Sequence, residues 1–240
     1  MKSMTKENCL FNLFRYAICA IVFCIIAVPL YISVMGGFKS VGQLRVFPMA
    51  LPNPFVTTQY TDMLIGKSGF FWRELGNSLA IGAGTVAVVL CTATLAGFAL
   101  ARIKFRLNAA IYTYFWLGLL FPLAVAILPL YVQLRKFGLL DTHLGVVLPQ
   151  AAFGLPMMIM LLRGFIKQIP MELEEAATVD GYGRFGFLFR IVLPLSTPIL
   201  ATVSVLTFVS SWNNFFTPLL VFNTQSKFTL PMGVMDFMGE

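Results

Sequence analysis

Five stretches of this chain, at about residues 13–35, 78–101, 111–132, 144–162 and 195–211, are apolar for long enough to constrain everything else. Crossing about 30 Å of hydrocarbon takes roughly 20 helical residues, and only the first stretch holds a charge, Arg15 near its edge. At membrane depth no water satisfies the backbone, so each run must close its own hydrogen bonds as a helix or join a closed barrel. The runs are continuously apolar rather than alternating, which selects helices. Composition agrees, with 58% hydrophobic and 11% charged residues, against about 25% charged in soluble domains. The expected fold class is an all-α polytopic membrane protein.

A net charge of +7 would suggest nucleic acid in a soluble chain, but here basic residues read as anchors of cytoplasmic loops and no nucleic-acid partner is expected. With the N-terminus inside, ten basic residues fall on the cytoplasmic side: Lys2, Lys6, Arg15, Arg102, Lys104, Arg106, Arg163, Lys167, Arg184 and Arg190. The other seven, Lys39, Arg45, Lys67, Arg73, Arg135, Lys136 and Lys227, are spread over longer outside segments. Cys9 is placed in the N-terminus and Cys19, Cys24 and Cys91 in spans, so neither a disulfide framework nor metal spacing appears. The first apolar run is too long for a signal core and reads as a retained span.

Between the first two runs, Gly36-Gly37, Pro48 and Pro52-Asn53-Pro54 punctuate an outside segment. Phe70-Phe71-Trp72 suits a membrane interface just before the second helix, and Asn77 is a plausible N-cap for it. Gly82, Gly84 and Gly97 within that helix would let neighbours approach closely. Pro122 and Pro129 can each break the third. Gly138 reads as a helix stop. His143, the single histidine, reads as a solvated loop residue, and no catalytic residue, metal site or cofactor is expected.

The most polar long stretch lies at about 163–194, between the fourth and fifth runs. Pro170 suits a first helical position, with Ile169 as a weak cap, and Glu172, Glu174 and Glu175 complement the positive end of the helix dipole. Gly181 can take the left-handed conformation that closes a helix. Ala176 and Ala177 leave a nearly bare surface beside Glu175, which permits close approach by a partner. A second helix from Arg184 leads back to the bilayer. Small residues among carboxylates, followed by Phe185, Phe187, Leu188 and Phe189, favour docking over a merely solvated hairpin.

The spacing Glu175-Ala176-Ala177, three residues, Gly181, nine residues, Ile191-x-Leu193-Pro194 resembles, at every fixed position, the EAA loop of membrane subunits of ABC importers. Leu128-Pro129-Leu130-Tyr131, Gly138-Leu139-Leu140-Asp141-Thr142, Leu162-Arg163-Gly164-Phe165, Ser211-Trp212-Asn213 and Phe228-Thr229-Leu230-Pro231 are similar to the maltose-type sugar permeases. The resemblance covers roughly residues 13–240. It implies one type I ABC importer transmembrane domain over 1–240, in the inner membrane with its N-terminus cytoplasmic. The partners it implies are an ABC ATPase subunit dimer, a second homologous permease and an extracytoplasmic solute-binding protein. In that reading Glu174, Glu175, Ala176, Ala177, Asp180, Gly181, Ile191, Leu193 and Pro194 couple to the ATPase, with Glu175 the charged contact, the alanines a packing floor and Gly181 the turn. No phosphate-cradling G-x-x-x-x-G-K-[ST] occurs, so ATP is expected to be hydrolysed by the partner.

Two departures accompany the resemblance. Family members often carry a small polar residue where Gly183 stands, and glycine caps tolerably. The family also continues into a sixth span, which is missing here, so the chain reads either as a fragment or as a truncated, non-functional permease. An ion-coupled secondary transporter stays open as an alternative, although such carriers usually hold intramembrane charges. An intramembrane enzyme lacks His-Glu-x-x-His and an acid pair at depth. For the substrate pathway, Tyr131, Trp212, Asn213 and Asn214 are candidates near span ends, equally readable as interface anchors; which sugar or polyol passes stays open.

Overall fold

The computed structural model describes residues 6–65 and 70–238; Lys2, Lys67 and Glu240 lie outside the described residues, as does the side chain of Cys9. Among the described residues every regular element is helical. The chain separates into two compact units, Met1–Gly69 and Phe70–Glu240.

In the first unit, α1 (Lys6–Gly36) is apolar on all sides and its hydrophobic window is not buried by the chain. Such a helix finds its solvent in hydrocarbon. The turn-rich segment after it folds into α2 (Val41–Val46) and α3 (Thr58–Ile65). Phe38 stacks on Phe55 with ring centroids 4.6 Å apart and lies 4.7 Å from Tyr60, whose hydroxyl donates to the Val34 carbonyl at 3.0 Å. Lys39, expected as an outside charge, is only 1% exposed. Its ammonium donates to the carbonyls of Phe47 at 3.2 Å and Pro48 at 2.6 Å, which is how a buried cation avoids the penalty of desolvation.

The second unit is built on two long helices, α4 (Phe70–Arg102) and α7 (His143–Ile166), which form its principal helix pair. Gly97 explains how close they come. A side chain there would meet Leu162 Cβ at 3.1 Å and the Arg163 backbone nitrogen at 3.2 Å, so this glycine is a packing surface, as small residues in spans often are. Asn77 is not the N-cap of α4. The helix begins seven residues earlier, its first turn formed by Phe70-Phe71-Trp72, and the Asn77 amide donates to the Ser226 and Phe228 carbonyls at 3.0 and 2.9 Å.

The third apolar run is not one helix. It divides into α5 (Asn108–Gly118) and α6 (Leu123–Lys136). Pro122 takes an extended backbone and starts α6, whereas Pro129 sits inside α6 without ending it. Gly138, with φ of 65°, closes α6: its own N–H donates to Arg135 and that of Leu139 to Leu134. Beyond α7 come α8 (Met171–Val179), α9 (Arg184–Phe187), a π-helical turn (Leu188–Val192), α10 (Leu193–Leu195), α11 (Thr197–Trp212), α12 (Phe216–Val221) and α13 (Leu230–Met238). The limb Arg184–Leu195 meets α11 at 76°, with Pro194 and Pro198 on either side of buried Ser196. Each proline removes a backbone donor, and together they place the corner there. By length and composition three helices can cross a membrane, Phe11–Gly36, Phe70–Arg102 and His143–Ile166, or four if the bent pair counts as one span.

Candidate functional site

The polar stretch folds into a short helix pinned to the ends of α4 and α7. Pro170 is the N-cap of α8 and Met171 its first residue, one position later than expected. Ile169 is instead a buried residue whose carbonyl is already engaged. At the other end, Gly181 has φ of 82°. Its N–H donates to Thr178 at 3.0 Å and that of Tyr182 to Ala177 at 2.8 Å, the paired closure a left-handed glycine permits.

The two alanines differ in exposure. Ala177 is 2% exposed and packs into the cluster that contains Phe98, Leu162, Ile166, Phe187 and Leu188. Ala176 is exposed together with Glu172, Glu175 and Val179, positions spaced to share one helix face. Val179 is 88% exposed, so this face offers carboxylates, one bare alanine and an apolar side chain at once. Asp180 is the exposed C-cap. Ile191 and Leu193 pack against the core cluster from the π-turn and α10, and Pro194 is exposed. Arg190 lies over the Tyr182 ring at 4.9 Å, tying that limb back to the α8 turn.

Arg102, the last residue of α4, holds this arrangement in place. Its side chain is 4% exposed and lies 3.5 Å from Glu174 Oε2. One guanidinium nitrogen donates to the Ile166 carbonyl at 2.8 Å and also to the Ile169 carbonyl, while the other lies 2.8 Å from Met171 Sδ. A single planar fork therefore joins the end of α4, the end of α7 and the first turn of α8, a task suited to guanidinium geometry. Arg163 adds a second tie: its Nε donates to the Leu100 carbonyl at 3.3 Å and its guanidinium sits 3.7 Å above the Tyr112 ring. In the sequence Arg102 served only as a vote for orientation, and Arg163 as that and as part of a shared motif, because nothing in their spacing announced where their side chains would reach.

Away from α8, a cavity of about 400 Å³ opens between α4, α7, α11 and α12. Its polar lining centres on Gln150. The Ser211 hydroxyl donates to Gln150 Oε1 at 2.6 Å. The Thr85 hydroxyl is 3.3 Å from the same oxygen and 2.8 Å from the Ile81 carbonyl, with one proton to serve both. Gln150 Nε2 and Thr207 Oγ1 are buried without a hydrogen-bond partner, a condition that costs about 1–3 kcal/mol per group. Of the four pathway candidates, Asn214 lines this cavity and its Oδ1 accepts from the Thr217 N–H at 3.0 Å. Trp212 tilts against Phe208 at 5.6 Å, Asn213 bonds its own helix at Val209, and Tyr131 is half-buried on α6. Gln150 was missed in the sequence, although a lone amide inside an apolar run is a signal that could have found it.

At the opposite end of α7 from α8, Asp141 clasps the segment after α12. Its carboxylate accepts from the Asn223 and Thr224 N–H groups, from the Thr224 hydroxyl at 2.7 Å and from Lys227 Nζ at 2.8 Å. The Lys227 and Thr224 bonds hold its pKa well below the ordinary 3.8, against a smaller opposing effect of desolvation.

Residues 93–238 match the family described as binding-protein-dependent transport system inner membrane component. The diacetylchitobiose uptake system permease protein NgcG of Streptomyces coelicolor is 33% identical over 90% of this chain and 71% of its own length. The multiple sugar-binding transport system permease protein MsmG of Streptococcus mutans is 29% identical over 99% of this chain and 86% of its own. The inner membrane ABC transporter permease protein YcjP of Escherichia coli is 28% identical over 96% and 82%. In fold, the chain is similar, with a TM-score of 0.83 at 22% identity over 98% of its length and 81% of the other chain, to a bacterial ABC transporter involved in import of the acidic polysaccharide alginate. This chain, with its apolar helices and its pinned surface helix, belongs to the family of binding-protein-dependent transport system inner membrane components: it is a permease subunit, a transport component whose ATP is hydrolysed by a partner.

Proposed function

We propose that this permease carries a carbohydrate inward across the cytoplasmic membrane, working with an ABC ATPase dimer, a second homologous permease and an extracytoplasmic binding protein. Residues 1–240 serve as one type I transmembrane domain with its N-terminus cytoplasmic. The five apolar runs act as five spans, the third interrupted at Pro122. Carbohydrate transport is named for several of the similar permeases, including those for diacetylchitobiose and for multiple sugars.

The observation that supports coupling is the exposed face of α8, held by Arg102 against the ends of α4 and α7. On this reading Glu175 and Ala176 meet the ATPase, with Val179 beside them. Glu174 and Ala177 fasten the helix to its own subunit, Asp180-Gly181 makes the turn, and Ile191, Leu193 and Pro194 lead the docking end into α11. Tyr131, Trp212, Asn213 and Asn214 border the pathway. ATP and the loaded binding protein act by each favouring one conformation through differential affinity.

The test is a pair of variants. Glu175→Lys reverses the charge on the docking face, and Gly181→Val forces a β-branched side chain into the left-handed backbone at φ of 82°, at a cost of about 1–2 kcal/mol. Both are expected to abolish sugar uptake and to weaken ATPase co-purification while the subunit still reaches the membrane. Wild-type uptake in both would overturn the docking role of α8.

A further inference from the structure

Thr85 lies near the middle of α4, while Gln150 and Thr207 lie well inside α7 and α11. Their polar groups therefore meet at membrane depth, where a hydroxyl or amide is retained for a pathway or a packing bond. Packing accounts for half of what is seen. The Ser211 hydroxyl and Gln150 Oε1 satisfy one another, but Gln150 and Thr207, which line the same cavity, keep Nε2 and Oγ1 buried with no partner among the described residues. Buried polar groups are nearly always paired, so two orphans around one cavity of about 400 Å³ point to a ligand as the missing partner. That volume falls within the roughly 300–1,000 Å³ of small-molecule sites.

We infer that Gln150 and Thr207, supported by Ser211 and Thr85, form a solute-binding subsite on this subunit for a neutral polyhydroxylated ligand. The inference rests on the carbohydrate reading above and adds to it the residues and the charge class. An amide N–H₂ offers donors, and a threonine hydroxyl both donates and accepts, which matches sugar hydroxyl groups that do both. None of the residues lining the cavity is charged, so this subunit offers no counter-charge to a carboxylate or phosphate. Phe153 and the methionines Met157 and Met158 supply the apolar wall against which the less polar face of a sugar ring can rest. Asn214 closes one side, with its oxygen already occupied by Thr217 and its amide nitrogen left to donate.

The complete importer, reconstituted in proteoliposomes with its ATPase, partner permease and binding protein, supplies the test. Four probes are used: N,N′-diacetylchitobiose, arabinotriose, maltotriose and, as the anionic member, tri-galacturonate. Wild type is expected to import at least one neutral probe and not the galacturonate. Thr207→Val keeps the shape and breaks no internal hydrogen bond, since Thr207 Oγ1 has none. Losing one ligand hydrogen bond, it should raise KM about fivefold. Gln150→Leu should raise KM about tenfold or more by removing the central amide. If Gln150→Leu fails to assemble, Thr207→Val alone decides. An unchanged KM in Thr207→Val overturns the subsite and leaves the importer reading standing, as does import of galacturonate in preference to the neutral probes. Import of none of the four fails the carbohydrate reading itself, and the subsite with it.

Discussion

Two side chains carry more of this structure than their sequence positions suggest. Arg102 holds a carboxylate of α8, the last carbonyl of α7 and the Ile169 carbonyl in the linker between them. Arg102→Gln leaves the Glu174 charge without its partner and cannot span the same acceptors. Hydrogen bonds to charged groups contribute about 1.5–3 kcal/mol, so coupled uptake is expected to fall by roughly ten- to a hundredfold while membrane levels of the subunit hold. Wild-type uptake in that variant would show that the pin does nothing for coupling. Asp141 works at the far end of α7. Because its folded pKa is depressed by Lys227 and Thr224, its stabilising contribution is complete above the ordinary carboxylate value and is lost as pH falls below it towards the folded value. The thermal midpoint of the purified subunit should therefore drop on acidification below about pH 4. Asp141 has φ of 56°, a conformation asparagine also tolerates. Asp141→Asn should consequently fold yet show a flatter acid limb, and an equally steep limb would assign the acid sensitivity to other carboxyl groups.

At the scale of elements, apolar length alone located α1, α4 and α7, because a helix that must satisfy its own backbone in lipid leaves few alternatives. The ends were less legible. Phe70-Phe71-Trp72 and Asn77 read as an interface and a cap, but α4 starts seven residues before Asn77, whose amide instead reaches a carbonyl 149 residues away, and no local pattern encodes that contact. The split of the third run was half visible, since Pro122 and Pro129 look alike in sequence while only the first interrupts the helix. The α4–α7 crossing gives a direct check. Gly97→Leu adds a branched side chain where even a Cβ would sit 3.1 Å from Leu162. Overpacking of this kind costs about 1–3 kcal/mol, so the variant should melt several degrees lower in detergent, whereas Gly164→Leu, at an open position, should not. Equal melting of the two would mean that the crossing tolerates separation.

For the whole molecule, the membrane class and the family were readable from sequence because one rests on composition and the other on a fixed spacing of Glu175, Ala176, Ala177, Gly181 and Pro194. The cavity around Gln150 was not, since its members come from four separate elements and only folding brings them together. The proposed cytoplasmic N-terminus can be checked with cysteines at two well-exposed sites in a cysteine-free background. Leu51→Cys, 73% exposed, should react with an impermeant maleimide in intact cells, and Val179→Cys, 88% exposed, only after permeabilisation. The reverse pattern would invert the orientation. The 76° corner at Ser196 has a mechanical consequence as well. At 1.5 Å per residue its two arms, Arg184–Leu195 and Thr197–Trp212, measure about 18 and 24 Å. If the buried corner stays rigid, the pair acts as a bell crank: a small roll of the short arm swings the far end of α11 by about a third more than its own tip moves. Spin labels at Phe185 and Val209 would then keep one separation through the ATP cycle, and a separation that changes with nucleotide would make the corner a hinge.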